Sequence, residues 1–198
     1  MERKTDRRVK KTKTSLHQAF SNLLKKKDYS DITVKELADE ADITRKTFYL
    51  HYNTLDDLLR EFMAERYERM WDTMKEMDLF SEDFDYMSFF THLQNLFEEN
   101  HGLIKKLMDD TNSRYVMQQV MEENETKAFE HAKTRFDMKP EILHIYFRYY
   151  TRGMSGSFLE WFMNPDAVPL EEFVETVKNI NMQMWEALLK YRKTQPDE

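Results

Sequence analysis

The chain has 198 residues, 30 Lys+Arg against 37 Asp+Glu, and a formal net charge of −7. Three Gly, four Pro and no Cys leave too few turn residues for a many-stranded sheet, which needs a turn about every 8–12 residues. The lack of Cys also excludes disulfides, thiol catalysis and Cys-based zinc sites. The expectation is an all-α chain forming one domain or two small ones.

In chain order, the first feature is a basic stretch. Arg3, Lys4, Arg7, Arg8, Lys10, Lys11 and Lys13 fall within the first 13 residues. From Val9 to Lys26, the apolar groups Val9, Leu16, Ala19, Phe20, Leu23 and Leu24 share one helical face. Asp28-Tyr29-Ser30-Asp31 interrupts it. Thr33 and Glu36 then form a capping-box signature opening a helix with Val34, Leu37, Ala38 and Ala41 on one side. Asp42 follows where a left-handed residue ends such a helix. Thr44-Arg45-Lys46-Thr47 caps and starts a third helix, expected to run through Phe48 and Tyr49 to Tyr52. A further capping signature, Thr54-Leu55-Asp56-Asp57, opens a longer fourth one. Two short helices joined by a tight turn behind a basic helix make a helix-turn-helix layout. Its second helix would present Thr44, Arg45, Lys46, Thr47 and Tyr49 to a major groove, where Arg and Lys reach guanine or phosphate and Thr meets a thymine methyl.

Residues 1–52 carry net charge +5 and residues 53–198 net −12. A basic module beside an acidic body points to double-stranded DNA as partner of the first part only. The expected division is a DNA-binding domain over 1–53, with the basic arm, and a helical acidic domain over 54–198. Helices are predicted near Leu55–Met77, Phe84–Asn100, Gly102–Asp110, Ser113–Phe136, Glu141–Met163 and Leu170–Lys190. Breaks are expected at Ser81-Glu82-Asp83, Asn100-His101-Gly102, Lys139-Pro140 and Asn164-Pro165.

The stretch ITVKELADEADITRKTFYLHYNTLDDLL resembles the DNA-binding segment of TetR-type transcriptional regulators. The matching residues are Thr33, Ala41-Asp42-Ile43, Thr44, Thr47-Phe48-Tyr49 and His51-Tyr52. Two positions depart from that pattern. Asp42 replaces the usual turn glycine, and Leu55 replaces a lysine that contacts phosphate, a loss that the basic arm offsets. The resemblance adds Thr33, His51, Tyr52 and Thr54 to the DNA-contacting set. It implies a homodimeric regulator, a repressor by default, acting on a palindromic operator and released by a small apolar effector, with 54–198 as the helical dimerisation and effector-binding domain. It implies no cofactor, no metal, no catalytic residue, no membrane partner and a cytoplasmic location. YYTRGMSGSFLEWFMNP also resembles the C-terminal region of one TetR-type subgroup.

In the acidic part, Phe173, Val177, Ile180, Met184 and Leu188 follow steps of three and four, a stripe suited to helix–helix packing. Gly153 and Gly156 interrupt the preceding helix near Trp161. A mid-helix Gly costs about 1 kcal/mol relative to Ala, so a close helix approach is the expected compensation. These eight residues form the expected dimer interface. Phe89, Phe90, Tyr115, Met117, Phe147 and Tyr150 are candidate pocket residues, because thioethers and aromatic rings repack around varied apolar shapes.

Two rival readings come from the same residues. Glu98…His101 and Glu141…His144 have the Glu-x-x-His spacing of di-iron carboxylate bundles. However, one pair abuts a helix break and the other opens a helix, whereas ligands project from mid-helix. A Met-rich helical adaptor that binds protein is the other alternative. The chain contains no nucleotide-binding loop or nucleophile elbow. Its first 14 residues lack the apolar stretch expected of a secretory signal, and no apolar run of about 18 residues occurs.

Overall fold

The computed structural model describes residues 2–77, 83–98 and 101–191. Ser81, Glu82 and Asn100, expected at helix breaks, lie outside the described residues, as do the side chains of Arg3, Lys4 and His101. All regular elements among the described residues are helical. They run α1 (Glu2–Lys26), a 3-10 turn (Tyr29–Asp31), α2 (Val34–Glu40), α3 (Arg45–Tyr49), α4 (Leu55–Glu76), α5 (Tyr86–Glu98), α6 (His101–Asp109), α7 (Thr111–Lys133), α8 (Pro140–Met163) and α9 (Leu170–Leu189).

Where these bounds differ from expectation, local chemistry explains it. α1 begins at Glu2 rather than Val9 because no Gly, Pro or competing cap interrupts a run rich in good helix formers. The basic arm is therefore helical. α3 stops at Tyr49, with Leu50 as its C-cap, and Tyr52 N–H still donates to Phe48 O at 3.0 Å. α5 starts at Tyr86 because Asp85 caps it, accepting from Ser88 N at 3.0 Å and from Ser88 Oγ at 2.6 Å. Asp110 likewise opens α7 two residues early, accepting from Ser113 N at 2.8 Å. Pro140 occupies the first turn of α8, where a missing amide is tolerated.

The chain forms two compact units: Met1–Tyr67 with Glu99–Met121, and Glu68–Glu98 with Glu122–Glu198. In the first, the apolar face of α1 closes on α2, α6 and the start of α4, and α3 packs on α2. Leu16, Phe20, Leu24, Leu37, Phe48, Leu58, Leu59, Phe62 and Leu107 are all essentially without solvent contact. Phe20 stands edge-on to both Phe62, at 5.3 Å, and Tyr29, at 6.1 Å. The Tyr29 hydroxyl donates to Asp56, and burial, followed by that carboxylate, pushes its pKa up.

The second unit is packed mostly with rings. Phe90 is fully enclosed and touches Phe158, stacked at 5.7 Å, and Phe173, edge-on at 5.2 Å. Trp161 stacks on Phe173 at 5.3 Å and donates its indole N–H to Val168 O at 2.8 Å. Arg152 and Thr151 of α8 reach Glu125 of α7 at 3.2 Å and 2.9 Å, and Arg148 lies 3.7 Å from the same carboxylate.

Candidate nucleic-acid interface

The turn before α3 sets that helix's aim. The α2 end is a Schellman arrangement. Ile43 N–H donates to Ala38 O at 3.0 Å and Asp42 N–H to Asp39 O at 3.2 Å, with Asp42 at φ 53. Upstream, Thr33 completes the predicted capping box: Glu36 N donates to Thr33 Oγ1 at 3.2 Å and Thr33 N to Glu36 Oε2 at 3.1 Å. Lys27 Nζ lies 2.7 Å from Glu36. That ammonium, with the Thr33 donors, holds the Glu36 carboxyl down at about 2.

Thr44 caps α3, accepting from Thr47 N at 3.1 Å, and its hydroxyl lies 2.9 Å from that of Thr47. Phe48 is the fully buried anchor of the helix. Opposite it, Thr44, Arg45, Lys46 and Tyr49 are exposed and Thr47 is half-buried. Thr54 is exposed at the head of α4, exchanging bonds with Asp57 in both directions at 3.1 Å. His51 is half-buried, with its ring 6.5 Å from that of Tyr52. The hydroxyl of Thr33, although exposed, is engaged in its cap.

Tyr52 points inward. It is 4 % exposed, and its hydroxyl donates to Glu61 Oε1 at 3.0 Å. Burial, reinforced by the Glu61 charge, raises its pKa. Around it lies a polar network that sequence spacing did not reveal, because its members lie 35 to 48 residues apart or on different helices. Lys13 Nζ is 2.6 Å from Glu61 and 5.5 Å over the Tyr52 ring. His17 has Nε2 3.7 Å from Glu61 and Nδ1 3.2 Å from Glu65. The ligand atoms of His17, Glu61 and Glu65 lie within 4.8 Å of one another. The two ring nitrogens face different carboxylates, however, and Lys13 already neutralises Glu61. The arrangement is therefore a polar clamp of α1 on α4, with Lys13 as its cation. Arg7, Arg8, Lys10 and Lys11 of α1 are exposed or half-exposed along the preceding turns.

The candidate pocket residues divide between the units. Tyr115 is 62 % exposed and Met117 is buried in the first unit; Phe89, Phe90 and Phe147 are core residues of the second. Tyr150 is half-buried, and its hydroxyl shares a hydrogen bond with that of Tyr86, both pKa values being raised chiefly by burial. Asn181 of α9, 6 % exposed, lies beside Tyr86, and its side chain interacts with the Tyr86 hydroxyl and offsets part of the rise in that pKa.

The expected interface residues also divide. Trp161, Phe173, Val177 and Leu188 face inward and belong to the core of the second unit. Ile180 is exposed, Met184 half-exposed, and Gly153 and Gly156 lie on an open surface where an added Cβ would meet nothing within 4 Å. Continuing the two glycines toward the N-terminus of α8 are Tyr149, 70 % exposed, Ile145, 66 % exposed, and Ile142. These five positions advance by three and four residues. Sequence reasoning singled out the two glycines but not Ile142 and Ile145, because α8 is apolar on both faces and the ring-rich face dominated. At the start of α8, Glu141 and His144 both face solvent, so this Glu-x-x-His pair does not point into a bundle core.

Residues 13–62 match the family described as "Bacterial regulatory proteins, tetR family". An uncharacterized HTH-type transcriptional regulator of Bacillus subtilis, YxbF, is 40 % identical over 60 residues. That match covers 30 % of this chain and 16 % of the relative, so the chain spans less than a fifth of that relative's length. Among solved structures, a TetR transcriptional regulator from Streptococcus agalactiae superposes with TM-score 0.59 at 22 % identity, over 91 % of this chain and 98 % of the other. NalD of Pseudomonas aeruginosa, the secondary repressor of the MexAB-OprM multidrug efflux pump, gives TM-score 0.59 at 18 % identity, over 91 % and 96 %. These two likenesses are of fold. Residues 13–62 thus carry a TetR-family helix-turn-helix module, and the chain as a whole shares the fold of TetR-type regulators.

Proposed function

We propose that the chain acts as a homodimeric repressor whose paired α3 helices read a two-fold symmetric operator in double-stranded DNA. The observation that carries this reading is the exposed Thr44-Arg45-Lys46-Thr47-Tyr49 surface on a helix pinned by buried Phe48. The first residues of a recognition helix are those that meet base edges. Arg45 is assigned to base reading. Lys46, Tyr49 and His51 are assigned to phosphate, together with the basic face of α1, which stands in for the lysine absent at Leu55. Thr33 and Thr54 border the same surface. Tyr52 acts indirectly, holding the end of α3 to α4 through Glu61. DNA contacts thus fall within 1–53, and 54–198 serves dimerisation and effector binding.

Support for a dimer comes from α8. A helix apolar on both sides requires cover on both, and an added Cβ at Gly153 or Gly156 would meet none of the described residues within 4 Å. A second copy packed along Ile145, Tyr149, Gly153 and Gly156, joined by Ile180 and Met184 of α9, gives the glycines their purpose. The effector is a small apolar molecule held in the ring-rich second unit. It releases DNA only if it binds one arrangement of the dimer better than the other.

Selection of bound sequences from random duplex DNA tests the proposal. The expected product is an inverted repeat with half-sites one helical turn or a multiple apart, with affinity falling steeply as salt rises. Recovery of no enriched motif, with no salt-sensitive binding, overturns it.

A further inference from the structure

The joint between α1 and α4 has two rungs. Lys13 and His17, one turn apart on α1, face Glu61 and Glu65, one turn apart on α4: Lys13 Nζ is 2.6 Å from Glu61 Oε2, and His17 Nδ1 is 3.2 Å from Glu65 Oε2. Tyr52, beyond the end of α3, enters between them. Its hydroxyl donates to Glu61 Oε1 at 3.0 Å and lies 3.3 Å from His17 Nε2. Phe62 stands edge-on to the imidazole at 5.6 Å, and the His17 side chain is 12 % exposed. The titratable groups around the ring are thus Lys13 on its own helix, Glu61 and Glu65 on α4, and Tyr52 after α3.

Counting protons shows what this joint asks of His17. The Glu65 carboxylate only accepts, so Nδ1 must carry a hydrogen to bond it. The Tyr52 proton is spent on Glu61, so that hydroxyl can only accept from Nε2. Glu61, 3.7 Å from Nε2, is likewise an acceptor. Neutral imidazole has one N–H and satisfies one side; imidazolium has two and satisfies both. The charges agree, because Lys13 against Glu61 and Glu65 leaves one negative charge that a protonated His17 cancels.

We propose that His17 is a proton-sensitive positioning residue of the DNA-reading module, which on gaining a proton locks α1 and the end of α3 onto α4. This rests on the DNA-reading surface described above and adds a control of it by pH. α1 carries exposed Arg7, Arg8, Lys10 and Lys11 in the turns before His17, and Tyr52 holds the segment that leaves α3. One joint therefore sets the bearing of both proposed DNA contacts on α4. With His17 neutral, one ring nitrogen turns a lone pair toward an acceptor, and that rung loosens. Histidine side chains change charge between pH 5 and 8, so operator affinity should rise as pH falls across this range. The sign follows from linkage, since the state that binds the extra proton is favoured at lower pH.

The test compares the full chain with His17→Gln, which stays neutral, and Glu65→Gln, altered at an exposed site, at pH 6 and pH 8. Affinity is read by fluorescence anisotropy on a labelled duplex carrying the selected inverted repeat. From pH 8 to pH 6 the parent is expected to gain about tenfold more affinity than His17→Gln, roughly threefold from each of two modules. Glu65→Gln should lose most of the same gain, because its amide can donate to an unprotonated Nδ1. Protonation of His51 at the phosphate surface is common to all three proteins and cancels. Melting without DNA is the independent readout: the parent's margin over His17→Gln should be wider at pH 6 than at pH 8 by about 2–4 °C. Equal pH profiles of affinity in the parent and both variants overturn the positioning role. A melting margin that does not widen at pH 6 overturns proton uptake at His17. If no duplex binds at either pH while the margin widens, the DNA reading and the role in it fall, and the proton-sensitive joint stands. Should His17→Gln not fold, Glu65→Gln carries both comparisons.

Discussion

Asp42 shows how one residue's backbone sets up the reading surface. Its φ of 53 lies in the left-handed region, which costs an L-residue roughly 1–2 kcal/mol, less for Asp, and glycine almost nothing. Asp42→Gly is expected to gain about 0.5–1 kcal/mol and Asp42→Val to lose about 1–2 kcal/mol in thermal unfolding of the parent fold. A stabilised valine variant would contradict the turn geometry. Glu36 makes a different prediction. Its carboxyl is held at about 2 by Lys27 and Thr33, below the usual value of about 4.3. A depressed folded pKa stabilises fully above the unfolded value and fades as pH falls toward the folded one. Glu36→Gln retains the cap acceptor and removes the charge. Its melting temperature should therefore fall below the parent's at pH 6, with the gap closing as the pH approaches about 2. A gap that persists unchanged at low pH would mean that the ion pair with Lys27 is not its source.

α3 is only five residues long and cannot hold its own geometry; isolated helices shorter than about 12–15 residues are marginal. Its direction comes from the Schellman turn before it, the Thr44 cap, buried Phe48 and the Tyr52–Glu61 bond after it. Arg45→Ala should weaken binding to a selected operator by about 1–3 kcal/mol and relax one base position. Lys46→Ala should weaken all sequences alike and reduce the salt slope by about one phosphate's worth. Gel-shift titration at several salt concentrations separates the two. If both variants bind as the parent does, α3 is not the reading element. The Thr33/Glu36 and Thr54/Asp57 capping pairs were legible from sequence because a helix N-terminus is a local hydrogen-bond problem. The inward turn of Tyr52 was not: its partners His17 and Glu61 sit on α1 and α4, and no local rule brings them to it.

At the scale of the whole chain, the division into a +5 stretch and a −12 remainder favours contact with phosphate through one part only and limits non-specific attachment through the other. Two-fold recognition then depends on self-association. The α8 surface makes a prediction in which stability and assembly move in opposite directions. Gly153→Leu replaces a poor helix former with a good one on an open surface, which should stabilise the helix by about 0.5–1 kcal/mol. In the proposed dimer the same side chain would stand between the two α8 helices, so the parent is expected to sediment as a dimer and the variant, at the same concentration, as a monomer. A dimer of undiminished affinity would move the interface away from this face.

The sequence alone determined the helical class, the basic module, the capping residues, the left-handed turn at Asp42 and the bounds of most helices within a few residues. All of these follow from local propensity, short-range hydrogen bonding and periodicity. Tertiary structure decided which apolar face each helix buries. Phe173, Val177 and Leu188 form a regular stripe, and periodicity cannot say whether such a stripe covers its own core or a second copy. Here it covers the chain's own core, and the open glycine face of α8 remains. Tertiary structure likewise placed Lys13, His17, Glu61 and Glu65 in one clamp, and Tyr86, Tyr150 and Asn181 in one cluster. Side chains so far apart in sequence become neighbours only when the helices carrying them pack.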